Sequence, residues 1–433
     1  MITALDALTT PFSVSILTAT KGNASKRLVP DDQGRPVKDP AHSVSIAAGR
    51  IEHVRVAGLT GFADLLQRIA PQQALVHGIP KGSNPGDILT LVTAERYSGA
   101  PGTIARTLDC IDYPPGVRLI MFDVDPAPEA PETVTNATAL VTRLAGIGPA
   151  FAEAGLLGTT STSSAIRCKK TGAWLRPPEG MHVYLLAIGD VVRFRELLKI
   201  RLWLAGTGYC KLASPNRYTG VASILERCLI DMTVFSPERV DFVGGAKIAQ
   251  NAAFFQDRPA PELHPGMVLD LDTLPDATAE EREEYARLLG EARARVAPEQ
   301  RARVVTHIKI ATPTLSDAEV EKEVVTRIAQ ADRGELDPDQ PLYFSNGTIC
   351  TARTLTPALD NKRLRDPLEP DYLPSQAVFH WRGGEWRIVS WAHGIKKVYR
   401  LAQTPARGRP LYDPWLGDRR LWRGVPVVVA ERV

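Results

Sequence analysis

The chain has 433 residues, 44% apolar and 23% charged, with a formal net charge of +3. That length exceeds one small core and implies two to three structural units of ordinary globular composition. A near-neutral total excludes a protein coated in basic residues. No run of 18 or more apolar residues offers a membrane span. The N-terminus lacks the basic-then-apolar pattern of a secretory signal, so a cytoplasmic protein with no membrane partner is expected. Five dispersed cysteines form no CxxC pair and the eight histidines are scattered. This argues against a disulfide framework, and no zinc site is readable.

Charge is uneven along the chain. Residues 161–227 carry eleven Lys/Arg against four Asp/Glu, and the region from residue 343 onward is again basic. Localised positive surface is the footprint of a nucleic-acid or nucleotide binder. Solvated helix faces are the simpler explanation for any single cluster.

In chain order, β-like runs at 13–17, 43–46 and 51–56 surround an amphipathic helix over 60–69. A further strand over 87–92 follows a turn-rich segment. Next comes "RLIMFDVDP", an apolar strand over 117–122 that stops at Asp123 and Asp125. A helix over 136–154, a strand over 159–168, a Pro/Gly-rich turn and a strand over 181–187 follow. A helix over 191–204 and a strand over 228–234 complete a βαββαβ unit, the order of ferredoxin-like and RNA-recognition folds. Thr278 with Glu281 and Ser316 with Glu319 read as capping boxes opening two charged helices. From residue 341, short aromatic and β-branched runs with Gly turns suggest a small β-rich module. The expected division is therefore a core over 1–256 (an α+β unit over 1–115 and the βαββαβ unit over 116–256), a helical linking arm over 257–340 and a C-terminal module over 341–433.

In the usual sheet order the first strand of the βαββαβ unit is central, between the third and the fourth. Its C-terminal end then meets the starts of those neighbours. Asp123, Asp125, His182 and Asp231 converge on one rim. Three carboxylates in one place raise each other's pKa unless a counter-charge is present. A pair of divalent cations, Mg²⁺ or Mn²⁺, satisfies them and can serve phosphoryl chemistry. Asp231 is the most telling residue, because a carboxylate inside the apolar run Leu229-Ile230-Asp231-Met232 is costly to bury without a partner. His182 has no partner at metal-ligand spacing and suits a phosphate oxygen better.

"FDVDP", "GMHVYL" and "LIDMTVFSPERVDFVGG" resemble, in that order, the three motifs of the archaeo-eukaryotic primase superfamily. The fuller pattern "SSAIR…GMHVYL…RLWLAGTG…ERCLID…PERVDF" is most similar to primase-polymerases of plasmids, phages and integrative elements. "RLRDPLEPDY…VSWAHGIKKVYRL" resembles a module that often follows this core. The resemblance implies an α+β archaeo-eukaryotic primase core and template-dependent nucleotidyl transfer from NTP or dNTP on single-stranded DNA. It implies that Asp123, Asp125 and Asp231 hold two metal ions and that His182 contacts the incoming triphosphate. Arg227, Lys169, Lys170 and Lys211 are the basic candidates for the nucleotide site. Gly180 stands where many members have a serine, which removes a side-chain contact there. No GxxxxGK[ST] is present, so a helicase partner is expected to be separate or missing. Two rivals remain: a replication-associated nucleic-acid-binding protein without catalysis, and a metal-dependent phosphodiesterase on the same rim. His393 reads as a turn residue, and Trp381, Trp386, Trp391 and Trp415 read as a small β core with base stacking as the alternative.

Overall fold

The computed structural model describes residues 5–402 apart from 21–23, 40–45, 47, 95, 372–375, 383–384 and 393–395. His393, Trp415 and most of the expected strand over 43–46 lie outside the described residues. The architecture is mixed α+β, and the chain divides into two units. The first comprises Met1–Tyr209 and Arg227–Ala286, the second Cys210–Glu226 and Arg287–Val433. Among the described residues no helix is long and apolar enough to cross a membrane.

The first unit opens with β1 (Pro11–Ala19), β2 (Gly49–Ala57), α1 (Gly58–Arg68), β3 (Gln73–Val76), β4 (Ile88–Val92) and β5 (Thr103–Ala105). Next come β6 (Arg118–Val124), α2 (Ala137–Ala145), β7 (Leu156–Thr160), β8 (Ile166–Cys168) and β9 (Trp174–Arg176). The unit continues with β10 (Met181–Ile188), α3 (Val191–Leu204), β11 (Val240–Asp241), β12 (Phe254–Gln256), β13 (Glu262–His264) and β14 (Leu269–Asp270). One sheet has the order β11-β3-β1-β2-β4-β5 and a second the order β6-β10-β7-β13, with β14 parallel to the far end of β10. A third, small sheet runs β9-β8-β12. Residues of β10 from Met181 to Ala187 are all buried, so it reads as a continuous apolar run rather than an alternating one. Phe62 of α1 ties the two larger sheets together, its ring centroid 5.8 Å from Phe12 of β1 and 5.0 Å from Tyr184 of β10.

Three expectations about the βαββαβ segment need correction. The strand over 228–234 does not form. Asp231 instead accepts a hydrogen bond from the Thr233 N–H and caps a 3₁₀ turn, Met232–Val234, the local side-chain-to-backbone bonding that competes with a ladder. β6 is therefore an edge strand, with β10 at the centre. The helix over 136–154 ends at Ala145, because Gly146, Gly148 and Pro149 oppose continuation, and a 3₁₀ turn, Pro149–Glu153, follows. The strand over 159–168 is two strands in different sheets, separated by a turn in which Ala165 has φ 57°. By contrast α3 spans 191–204 as expected, with Asp190 capping the Val192 and Arg193 N–H groups.

α4 (Ala279–Ala311) and α5 (Asp317–Arg333) begin at the two expected capping boxes. They do not form a separate linking arm. Val304, Ile308, Val320 and Val324 are buried in one cluster with Leu336, Leu342, Phe344, Phe379, Ile388 and Tyr399 of the β-rich region. The arm and the C-terminal module thus share a core, and the boundaries at 256 and 340 are not those of the molecule. The module's sheet joins Glu335–Leu336, Lys397–Leu401, Glu385–Ser390, Ala377–Arg382 and Arg363–Leu364 in that order. Trp381 and Trp386 are cross-strand partners packed against this core, whereas Trp391 is exposed.

The shared core predicts that Ile308→Ala, at a fully buried position, costs about 2–5 kcal/mol. Ile310→Ala, at an exposed position on the same helix, should change stability by less than about 0.5 kcal/mol. Denaturant unfolding of the two variants checks this; equal, small effects would return α4 to the role of a spacer.

Candidate active site

The rim begins with strand register. β6 and β10 are antiparallel, and Asp123 stands directly opposite His182. His182 Nε2 lies 3.6 Å from Asp123 Oδ1. Although residues 228–234 form no strand, the Asp231 N–H donates to the Asp123 carbonyl at 2.9 Å. That single bond places Asp231 beside the end of β6, where a fourth strand would have lain. Asp125, one residue beyond β6, is exposed.

Gly180 completes the rim by close approach. A Cβ there would meet the Ser161 Cβ at 2.9 Å and Asp125 Oδ1 at 3.0 Å. The Ser161 N–H donates to the Gly180 carbonyl at 2.8 Å. Ser161 thus occupies part of the space a side chain at 180 would need.

Electrostatics explains what this rim lacks. Burial pushes the Asp123 carboxyl up to about 6; His182 opposes the shift, while Asp125, Asp231 and Asp241 add to it. Asp123 Oδ1 is buried and has no hydrogen-bond partner among the described residues. An oxygen without a hydrogen bond, faced by one imidazole and three carboxylates, is the environment that a further cation relieves. The donor chemistry therefore fits a hard divalent ion. Among the described residues no three His, Cys, Asp or Glu side chains already stand grouped as metal ligands. Closing round an ion would require side-chain rotation, which the exposed Asp125 permits and which for Asp231 means giving up its cap on Thr233.

Behind the rim is a buried network that sequence reading missed. His182 Nδ1 faces the Tyr184 hydroxyl at 3.2 Å, and that hydroxyl donates to Asp241 Oδ2 at 2.7 Å. His77 Nε2 reaches the same Oδ2 at 3.2 Å. His182 Nδ1 is also 3.1 Å from Asp241 Oδ1, without the alignment of a hydrogen bond. Burial alone would raise the Asp241 carboxyl, but the charge of His182 and the charge and hydrogen bond of His77 hold it well below the usual carboxylate range. Burial disfavours the His182 imidazolium, yet Asp241 and Asp123 outweigh it and keep that group above its ordinary value. Asp241 and Asp123 thereby favour the protonated form of His182, whose Nε2 faces Asp123. Tyr184 was legible as the same-face neighbour of His182, two residues on. Asp241 had no such signal, being half of a two-residue strand.

The basic residues separate into four groups. Lys26 and Arg176, two cations not anticipated, and Asp125 all act on Lys38: repulsion by Lys26, then burial, lowers its ammonium, with Arg176 adding and Asp125 opposing. Burial raises the Tyr209 phenol; Arg227 opposes that shift, while Glu129, Cys228 and Asp125 add to it. Lys169 and Lys170 sit at the β8–β9 turn, where the Lys169 ammonium donates to the Ala252 carbonyl at 2.9 Å. Lys211 belongs to the second unit.

No protein-family model matches the chain, and neither a curated protein nor a solved structure matches it.

The raised Asp123 pKa has a defined sign. Its folded value near 6 exceeds the ordinary 3.8, so the charged form destabilises the fold, fully above pH 6 and not at all below the unfolded value. With a chelator present, Asp123→Asn should therefore raise stability by about 2 kcal/mol at pH 7.5, and the gain should vanish at pH 4. Added Mn²⁺ should narrow the gap by stabilising the wild type. Thermal melts at both pH values check this; a pH-independent difference would contradict it. Gly180→Val should cost at least about 1–3 kcal/mol through the clash with Ser161 and Asp125, which the same melts measure.

Proposed function

We propose that the chain is a DNA primase-polymerase of the archaeo-eukaryotic primase superfamily, of the type carried by plasmids, phages and integrative elements. In this reading it transfers nucleotides from NTP or dNTP onto a strand templated by single-stranded DNA, during replication of a mobile element whose helicase is a separate chain. The observation that carries the reading is the meeting of three distant motifs on one rim. Asp123 is in register with His182, and Asp231 is tied to Asp123 by a backbone hydrogen bond.

The residues divide the work by chemistry. Asp123, Asp125 and Asp231 would hold the metal ions, with the unpartnered Asp123 Oδ1 as the first ligand atom. Two divalent ions bound there supply Lewis-acid stabilisation of the attacking and leaving oxygens. His182, whose protonated form Asp241 favours, presents Nε2 toward Asp123 and would meet a phosphate oxygen there. Lys26, Lys38 and Arg176 form a basic group near which Asp125 stands, suited to the triphosphate and to the pyrophosphate that leaves. Asp241, Tyr184 and His77 touch no substrate; they orient His182.

A primer-synthesis assay with labelled nucleotides, circular single-stranded DNA and Mg²⁺ or Mn²⁺ tests the reading. Wild type should make products longer than any input strand. Asp123→Ala/Asp125→Ala should lower the rate by at least about a thousandfold, the scale expected when a charge-stabilising element of the transition state is removed. Asp241→Asn should lose activity less severely by mispositioning His182. DNA binding without any extension would favour the non-catalytic rival, and shortened input strands would favour phosphodiester hydrolysis.

A further inference from the structure

The segment between β7 and β10 does more than connect two strands of the second sheet. Residues 161–180 leave that sheet at the rim, form the β8–β9 hairpin and return at Gly180, whose carbonyl accepts the Ser161 N–H at 2.8 Å. The hairpin pairs with β12 to make the small third sheet. Its inner face is a complete core by itself: Ile166 and Phe254 are fully buried against Leu28, Ala249 and Ala252.

The outer face is built differently. Strand register places Arg167 opposite both Trp174 and Phe255, so the three form one row across three strands. Trp174 and Phe255 are 37% and 39% exposed, although the core beneath needs neither. The Arg167 guanidinium lies over the Trp174 ring, 3.6 Å from its centroid. Residues 161–178 contain four basic side chains and no acid; the acid near this face is Asp257, paired with Arg167 at 2.7 Å. Exposed aromatic rings in a row on a positive sheet match the bases and phosphates of a single strand, since every base has a face to stack and the backbone is anionic. A duplex keeps its base faces covered and gains only the charge.

We propose that the outer face of the β9-β8-β12 sheet is the platform on which single-stranded DNA stacks as it approaches the aspartate rim. Phe255 and the stacked Trp174–Arg167 pair take bases, while Lys170 faces the phosphates. The hairpin's two ends fix the direction of delivery. Gly180 lies against both Ser161 and Asp125, and Arg176, the last residue of β9, acts together with Asp125 on Lys38. That the strand held here is the template rests on the polymerase reading above; that the face binds a single strand does not.

Fluorescence anisotropy with a labelled oligothymidine, without nucleotide or metal, separates the two claims. Trp174→Ala and Phe255→Ala should each weaken binding about tenfold, the usual loss for one stacked base, and Trp174→Phe should restore most of it. Affinity for a duplex of equal length should stay unchanged in all three. Lys170→Glu, at an exposed turn position, should weaken binding and flatten its salt dependence even if an aromatic variant fails to fold. Wild-type affinity in Trp174→Ala, Phe255→Ala and Lys170→Glu together overturns the platform, whether or not the protein polymerises. A change from dimer to monomer in those variants at unchanged DNA affinity also overturns it, because the face would then join two copies. Single-strand binding that depends on Trp174 in a protein that makes no product would leave the platform standing and remove the polymerase reading.

Discussion

The site is organised around one buried carboxylate. Asp241 is 2% exposed, lies at the edge of the first sheet and is shared by His77, Tyr184 and His182. An ionised group at such depth survives only when it is paired and hydrogen-bonded. Its partners come from both large sheets: His77 follows β3, and Tyr184 and His182 belong to β10. The network therefore locks the two sheets in one relation and settles which way the His182 ring faces. With Nδ1 turned inward to Tyr184 and Asp241, Nε2 is left for the rim.

From that constraint the character of the rim follows. Asp123 is pulled between His182, which lowers its pKa, and the other carboxylates, which raise it, and burial tips the balance toward the neutral acid. A protein using these residues only for stability would do better with an amide or an apolar side chain at position 123, because the arrangement costs free energy near neutral pH. Strain of this kind, concentrated where titratable groups gather, is a mark of function. The cations Lys26, Lys38 and Arg176 are not among the groups that act on Asp123; with Asp125 they form a separate charged group around Lys38.

Much of this was readable from the chain because it depends on local pattern. The apolar run ending at Asp123 and the run beginning before His182 each announce a buried strand, and antiparallel pairing of the two brings those residues face to face. α3 was readable to the residue because Asp190 is a strong cap before a helical period. The segment 228–234 was not, since an apolar stretch around Asp231 looks like a strand until the carboxylate is seen capping the Thr233 N–H. Its position beside Asp123 was nonetheless anticipated, because one backbone hydrogen bond achieves what a whole strand was expected to do. Asp241 and Lys38 were invisible for another reason: each owes its place to strands of two or three residues, whose pairing is decided by tertiary contacts. Charged residues on α4 and α5 likewise obscured the Val304/Ile308 and Val320/Val324 pairs that bury those helices in the second core.

The claim on which the rest depends is that Asp123, Asp125 and Asp231 together hold metal ions. The most direct measurement is a crystal structure of the protein with Mn²⁺ and a non-hydrolysable nucleotide, phased to reveal manganese by its anomalous scattering. The account predicts manganese peaks bounded by these three carboxylates, with the triphosphate reaching His182 Nε2. Manganese bound elsewhere, or a nucleotide seated away from His182 with no metal at the rim, would contradict it.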